Sequence, residues 1–597
     1  MLKADQVELF CAKIQLMRTE FSGAVKVSVR QFGRSLANCG DARVTFMGCS
    51  QLKRRPFYNR RKCQIFDWSK EYEADLQDLH LRISNPQESS ELTPDDVTAL
   101  KVAETTVQLG LQFHDSIWTG YNLSHIPFII YMPERWALLI NASSTAEGFV
   151  DYPENWPVIT TPVLYHEGQY RDLAGQLAFN VPVDSLTVCA VAFQGQSPRR
   201  FLEYVVHENF HQFQRTRFED IPWESEELYP IEDTTNSSLA CLEVLLLKDA
   251  VRLLRNSAQD SARAMMNQFL AVRSFRWKRA DPYVQRYELG QELNEGTAKY
   301  VEIKAVSLVS NLLNDSPDIS SIGIITAGLD SLTMSSCIID GLEKNITDGT
   351  ISPEDMPRNR IYPVGAAQGY LLDQLGLDWK AAAEKGGAGF TFAGLLRSAI
   401  SFDSSRTESL VAEAEESRNY RRIYLASRES IAAYRIGFDS AMAAFESQPG
   451  IRIEISLNGD GLLRSRSSSA RKWLVESGSK EYRDHFDIYV LRSLSKDDLP
   501  PQLRDANIPA LMAKEFLFQL EDSGLYEEMD QDTNEKKLIF YCTEVQSAIT
   551  DGLTISTTSS GEYQFESLSL KGAEFKLASD RSGTISISSD RISIDLL

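Results

Sequence analysis

Two histidines and a glutamate fall together in His207-Glu208-Asn209-Phe210-His211, an H-E-x-x-H inside the run Arg199–Arg217. In a helix, positions four apart stand one above the other, so both imidazoles face one side and Glu208 lies one position round from the first. Imidazoles so placed suit zinc, and the glutamate between them is placed to act as general base on a water. This chemistry needs a helix, and the flanking residues predict one. Phe201, Leu202, Val205, Val206, Phe210 and Phe213 follow helical spacing and form one apolar face. Ser197 is a good N-cap, and Pro198 falls at the first helical position, where its missing N–H costs nothing.

A catalytic zinc needs a third protein ligand and an open position. Downstream, Asp281-Pro282 is another N-cap and first-position pair, opening a predicted helix that runs to about Leu308. It contains Leu293-Asn294-Glu295-Gly296-Thr297-Ala298-Lys299-Tyr300-Val301-Glu302, with Leu289, Leu293, Ala298, Val301 and Ala305 in a broadly helical pattern. Gly296 inside a helix costs about 1 kcal/mol relative to alanine, which predicts a packing reason. Without a side chain beside Glu295, this helix can approach the histidine helix closely enough to share a metal. Glu243 competes for the third position. It sits among Leu239, Leu242, Val244, Leu246 and Leu247, where an unpaired carboxylate is costly. Its other expected roles are orienting a ligand histidine or pairing with Lys248 or Arg252.

L-N-E-G-x-A-x-Y-x-E after H-E-x-x-H resembles the gluzincins, in particular the aminopeptidase N and leukotriene A4 hydrolase family. The resemblance implies zinc, one ion per chain, with Glu295 as third ligand beside His207 and His211, and Glu208 as catalytic base. A further element agrees. Arg360-Ile361-Tyr362-Pro363-Val364-Gly365 carries a Y-x-x-G, and Tyr362 lies 67 positions beyond Glu295. In that family the tyrosine of such a motif, at a similar distance, stabilises the tetrahedral intermediate, with Arg360 either supporting it or lying on the surface here. The chain also departs from the family. His211 and Glu295 are 84 positions apart, far more than usual, with an extra helix expected over about Ser237 to Arg255. The family's G-x-M-E-N element, which binds a free amino group, is absent. The resemblance therefore implies a metallopeptidase site acting on a peptide or protein, not aminopeptidase specificity. The alternative is a zincin scaffold used for binding without turnover.

The elements that must position these residues imply an α+β fold with a zincin-like core. Residues 1–92 are a region of unclear fold, and Thr93-Pro94 starts a helix to about Phe113. Phe128 to Tyr131, Trp136 to Ile140, Val158 to Tyr165 and Leu186 to Phe193 are predicted strands, so 93–196 forms a sheet lobe. Val188 to Phe193 is the expected edge strand for an extended substrate. His166-Glu167 repeats an H-E pair but has Tyr170 where a second histidine would stand, and is expected in a loop. Residues 197–448 are expected to be a helical lobe, with small residues Gly365, Ala366, Ala367 and Gly369 permitting close packing. Pro449-Gly450 marks a boundary, and 449–597 is expected to be a β-rich accessory domain with a helical interlude.

Composition bounds the remaining possibilities. A net charge of −21 argues against nucleic acid as a main partner. The basic run Lys53-Arg54-Arg55 to Arg60-Arg61-Lys62 reads as solvated surface. Eight cysteines without a C-x-x-C pair suit neither a disulfide scaffold nor a zinc knuckle. The first twenty residues lack a signal-peptide pattern, and no apolar run suits a bilayer, so a cytoplasmic protein without membrane insertion is expected.

Overall fold

A computed structural model of the chain describes residues 92–596, except for several stretches of which 493–515 is the longest. The basic run and most of the expected N-terminal region lie outside the described residues. From Ser89 onward the chain forms one compact unit of mixed α and β structure.

Helix α1 (Pro94–Ile117) opens at Thr93 through a capping box with Asp96 and runs four residues past Phe113. A six-stranded sheet follows: β1 (Phe128–Met132), β2 (Trp136–Ile140), β3 (Val150–Asp151), β4 (Val163–Glu167), β5 (Ala178–Val183) and β6 (Leu186–Ala192), in the order β3-β4-β2-β1-β6-β5. Only β1 and β6 pair in parallel. The expected strand from Val158 is shorter and later than predicted. Its first half is held by α1 instead, where Glu104 accepts from the Thr160 N–H at 2.7 Å and its hydroxyl at 2.6 Å. His166 and Glu167 are in strand β4, not in a loop, with His166 opposite Ala137. Neighbours on a strand point to opposite faces, so this pair cannot act as H-E does on a helix.

The helical lobe runs through α2 (Pro198–Arg217), α3 (Thr234–Arg255), α4 (Gln259–Trp277) and α5 (Pro282–Gln291). A π-helical turn, Glu292–Gly296, leads directly into α6 (Thr297–Asp315). Beyond lie α7 (Met334–Lys344), α8 (Ile361–Gln374), α9 (Lys380–Lys385), α10 (Phe392–Ile400), α11 (Thr407–Ser417) and α12 (Tyr420–Glu446). Ser197 caps α2 by accepting from the Arg200 N–H at 3.3 Å, with Pro198 in the first turn. The predicted face of α2, Phe201 to Phe210, is fully buried, and Phe213 nearly so. It packs with Trp118 and Tyr121 in a core shared by one face of the sheet and the helices. Asp281 caps α5 as predicted, accepting from the Tyr283 N–H at 2.8 Å. No described helix is long and apolar enough to cross a membrane.

Gly450 ends the lobe at φ +123°, where a Cβ would stand 2.2 Å from the Cys542 carbonyl oxygen. Strand β7 (Ile451–Leu457) then pairs antiparallel with Lys536–Cys542 and parallel with Arg591–Leu596, around a separate apolar core. Phe445 of α12 packs against Tyr541, ring centroids 5.2 Å apart, and joins this part to the helices. The expected helical interlude is instead strand wherever it is described, including Arg471–Val475, Ile488–Arg492 and Phe516–Leu520. These runs are of strand length and rich in aromatic and aliphatic residues, which suits a pleated sheet better than a short helix.

Candidate metal centre

Helix α2 carries His207 and His211 with their Nε2 atoms 3.1 Å apart. Glu295 Oε2 lies 3.1 Å from His207 Nε2 and 3.4 Å from His211 Nε2. A tetrahedral zinc with bonds of about 2.0–2.1 Å sets its ligand atoms roughly 3.3 Å apart. The triangle therefore has the dimensions of one face of a zinc tetrahedron. Among the described residues it is the group of histidine, cysteine and carboxylate side chains that converges in this way.

Each ring is held from behind, leaving its Nε2 for the centre. His207 Nδ1 lies 3.2 Å from Glu302 Oε2, and Lys299 pairs with the other oxygen of that carboxylate. His211 Nδ1 lies 2.6 Å from Gln214 Oε1. The Gln214 amide also donates to the Asn294 carbonyl at 2.8 Å and to the Thr297 hydroxyl at 2.7 Å, tying α2 to the π-turn. Partners of this kind fix the tautomer and orientation of ligand histidines. Neither Glu302 nor Gln214 was assigned a role from sequence. The available signal was spacing, since Gln214 stands three positions after His211 and Glu302 seven after Glu295, on the same helical faces.

In the metal-free site, burial lowers the His207 pKa, but hydrogen bonds to Glu295 and Glu302 outweigh it and push the group up to about 10. Burial works to raise the Glu295 carboxyl, yet the two imidazoles hold it well below the usual carboxylate range. The pocket is thus built for positive charge. Two imidazole nitrogens, one carboxylate oxygen and carboxylate or amide groups behind the rings fit zinc.

The π-turn sets where Glu295 points. It inserts one residue into the helical repeat, a distortion frequent at functional sites. The sequence carries its trace in the five-residue step from Leu293 to Ala298, where a regular helix has three or four. Gly296 packs on a different element from the one expected. Its missing side chain admits not α2 but Gly365 of α8: a Cβ on Gly296 would meet Gly365 Cα at 2.8 Å, and one on Gly365 would meet Gly296 Cα at 2.6 Å. This crossing explains the Y-x-x-G spacing. With Gly365 docked on the turn, Tyr362 one helical turn earlier lies beside His207, ring centroids 5.9 Å apart and planes 19° from parallel. Burial and the neighbouring Glu295 carboxylate raise the Tyr362 pKa, so its hydroxyl keeps its proton. Glu208 is half-buried, with no hydrogen bond or ion pair among the described residues. Its charge is felt at Cys189 of β6, whose thiol is pushed up to about 12 by burial and by that charge.

Three expectations are corrected here. Glu243 is neither ligand nor histidine partner. It is fully buried and paired with Arg273, 3.0 Å away, and with Arg276. Lys248 turns to Glu343, and Arg252 to Asp249 and Glu343. Arg360 is not on the surface but fully buried against Glu288. Val188 to Phe193 is not an edge, because β6 lies between β1 and β5. The edge is β5, which sequence reading missed and which contains Pro182, a residue suited to an edge because it lacks an N–H. Arg215 of α2 reaches Asn180 of β5 at 2.7 Å. No family model, curated protein or solved structure matches this chain.

Proposed function

We propose that the protein is a zinc-dependent hydrolase, most concretely a peptidase with a gluzincin-type site on a zincin-like core. The reading is supported by the convergence of His207, His211 and Glu295 at zinc-face distances, with Glu208 on the same helix and Tyr362 stacked beside the first ligand. When bound, zinc supplies a Lewis acid that polarises a carbonyl and acidifies a water. Glu208, without another partner among the described residues, takes the proton of the attacking water and returns it to the leaving amine. The Tyr362 hydroxyl donates a hydrogen bond to the carbonyl oxygen as negative charge grows on it. Edge strand β5, tethered to α2, offers main-chain groups to an extended peptide and so tolerates varied sequences.

The test is metal content followed by activity on a mixed peptide library. Wild type should hold about one zinc per chain. Glu208→Gln should keep the zinc and lose nearly all hydrolysis, because it preserves shape and removes the base. A zinc-loaded wild type that cleaves nothing in the library would shift the reading to a binding scaffold.

A further inference from the structure

Beneath the site lies a closed set of buried charges, Glu243, Glu288 and Glu292 against Arg273, Arg276 and Arg360, none more than 1 % exposed. Three negative charges meet three positive ones. Arg273 and Arg276 extend from α4 like a two-tined fork. Arg273 holds Glu243 of α3 and Glu292 of the π-turn, the latter at 2.7 Å. Arg276 holds Glu243 and, at 2.6 Å, Glu288 of α5. Glu288 also takes Arg360, two residues before Tyr362. The set closes through Gln368 of α8, which donates to Glu292 Oε2 at 2.9 Å and accepts from Arg273 at 3.2 Å.

Burying six charges is a poor way to gain stability alone, since well-packed apolar side chains of similar volume often do as well or better. Directional bonds do something apolar packing does less sharply: they fix rotation. The turn bearing Glu295 and the helix bearing Tyr362 touch at Gly296 and Gly365, where a backbone contact sets their distance. Glu292 and Gln368 form the second point of contact, and Arg273, bonded to both, adds a third, which together restrict rotation as well as distance. We infer that Glu292 and Gln368 are positioning residues, locking the Glu295 carboxylate and the Tyr362 hydroxyl into one frame through their shared hydrogen bond and Arg273. This rests on the zinc-peptidase reading above, in which Glu295 is a ligand and Tyr362 an oxyanion donor.

The experiment uses the full chain loaded with Co2+, whose visible absorption reports ligand geometry. Wild type, Glu292→Gln, Gln368→Met, Tyr362→Phe and the Gln368→Met/Tyr362→Phe double variant are compared. Glu292→Gln should lower Co2+ affinity about tenfold and shift the absorption band. Gln368→Met should keep the band and KM, and lower kcat about tenfold. Tyr362→Phe alone should lower kcat roughly a hundredfold. In that background Gln368→Met should cost nothing more, because it acts through the hydroxyl already removed. Gln368→Met changes no charge and keeps the test open where Glu292→Gln does not fold. Wild-type Co2+ affinity and spectrum in Glu292→Gln would overturn the role of Glu292, and equal losses from Gln368→Met in both backgrounds would overturn that of Gln368. Absence of a cobalt band in the wild type overturns the metal centre itself, and a cobalt protein that hydrolyses nothing is still decided by the Glu292→Gln band.

Discussion

An imidazole caught between two carboxylates keeps its proton until another cation replaces it. His207 stands in that position, between Glu295 and Glu302, with its pKa pushed up to about 10 in the metal-free protein. The unfolded value is about 6.5, so the stabilisation from this proton is complete below about pH 6.5 and is lost as pH rises through 10. Glu295 has the opposite sign: its contribution is present above the ordinary carboxylate range and is lost on acidification. On the zinc reading proposed above, the metal must displace the His207 proton. Below pH 10, binding to the metal-free protein should therefore release about one proton, with apparent affinity rising about tenfold per pH unit between roughly 7 and 9. Calorimetry in buffers of different ionisation enthalpy measures this directly, and a proton count near zero contradicts it. At this scale much was legible. The shared face of His207 and His211 was legible from helical spacing, and the placing of Glu295 and Tyr362 beside them from their motifs. Glu302 was in plain view in the same motif, but its bond to His207 joins positions 95 apart, and local periodicity carries no record of such a pairing.

Among the elements, the π-turn and α8 meet backbone to backbone. A methyl on Gly365 would stand 2.6 Å from Gly296 Cα and 3.1 Å from the Glu292 carbonyl oxygen, both backbone atoms that cannot swing aside. Gly365→Ala should therefore destabilise the protein by about 1–3 kcal/mol through overpacking, despite the about 1 kcal/mol that alanine gains over glycine in a free helix. It should also lower kcat by moving Tyr362. Urea unfolding checks the first effect, and a stabilised variant would contradict the close crossing. The small residues of α8 announced a tight contact, yet sequence named the wrong partner for Gly296. A missing side chain records that something approaches and is silent about what. The same gap separates the misjudged strands from the correct ones. The β1 and β2 runs are apolar and compact, whereas the first half of the predicted third strand is claimed by Glu104 from a helix far away in sequence.

For the whole molecule, apolar periodicity marked out the lobes, while the pairing of buried charges had to be seen. Glu243 looked like a candidate ligand because a carboxylate among leucines needs a cation; it has two, both arginines of α4. Glu243→Ala should cost about 3–5 kcal/mol, since it leaves both guanidiniums short of a buried partner, while the folded fraction keeps its zinc. Loss of metal without loss of stability would return Glu243 to the centre. A different consequence follows from β7. Its two neighbours, Lys536–Cys542 and Arg591–Leu596, are encoded far downstream. On a ribosome adding about 5–20 residues per second, β7 waits on the order of ten seconds for the second of them. The helices bearing His207, His211 and Glu295 have by then all emerged, so the helical part can close while the following sheet still shows two open edges. Nascent chains stalled in that interval are the ones prone to pair with each other. Slowing translation past residue 457 should therefore lengthen the exposure of β7 and lower the folded yield, which pulse-labelling with a conformational probe measures.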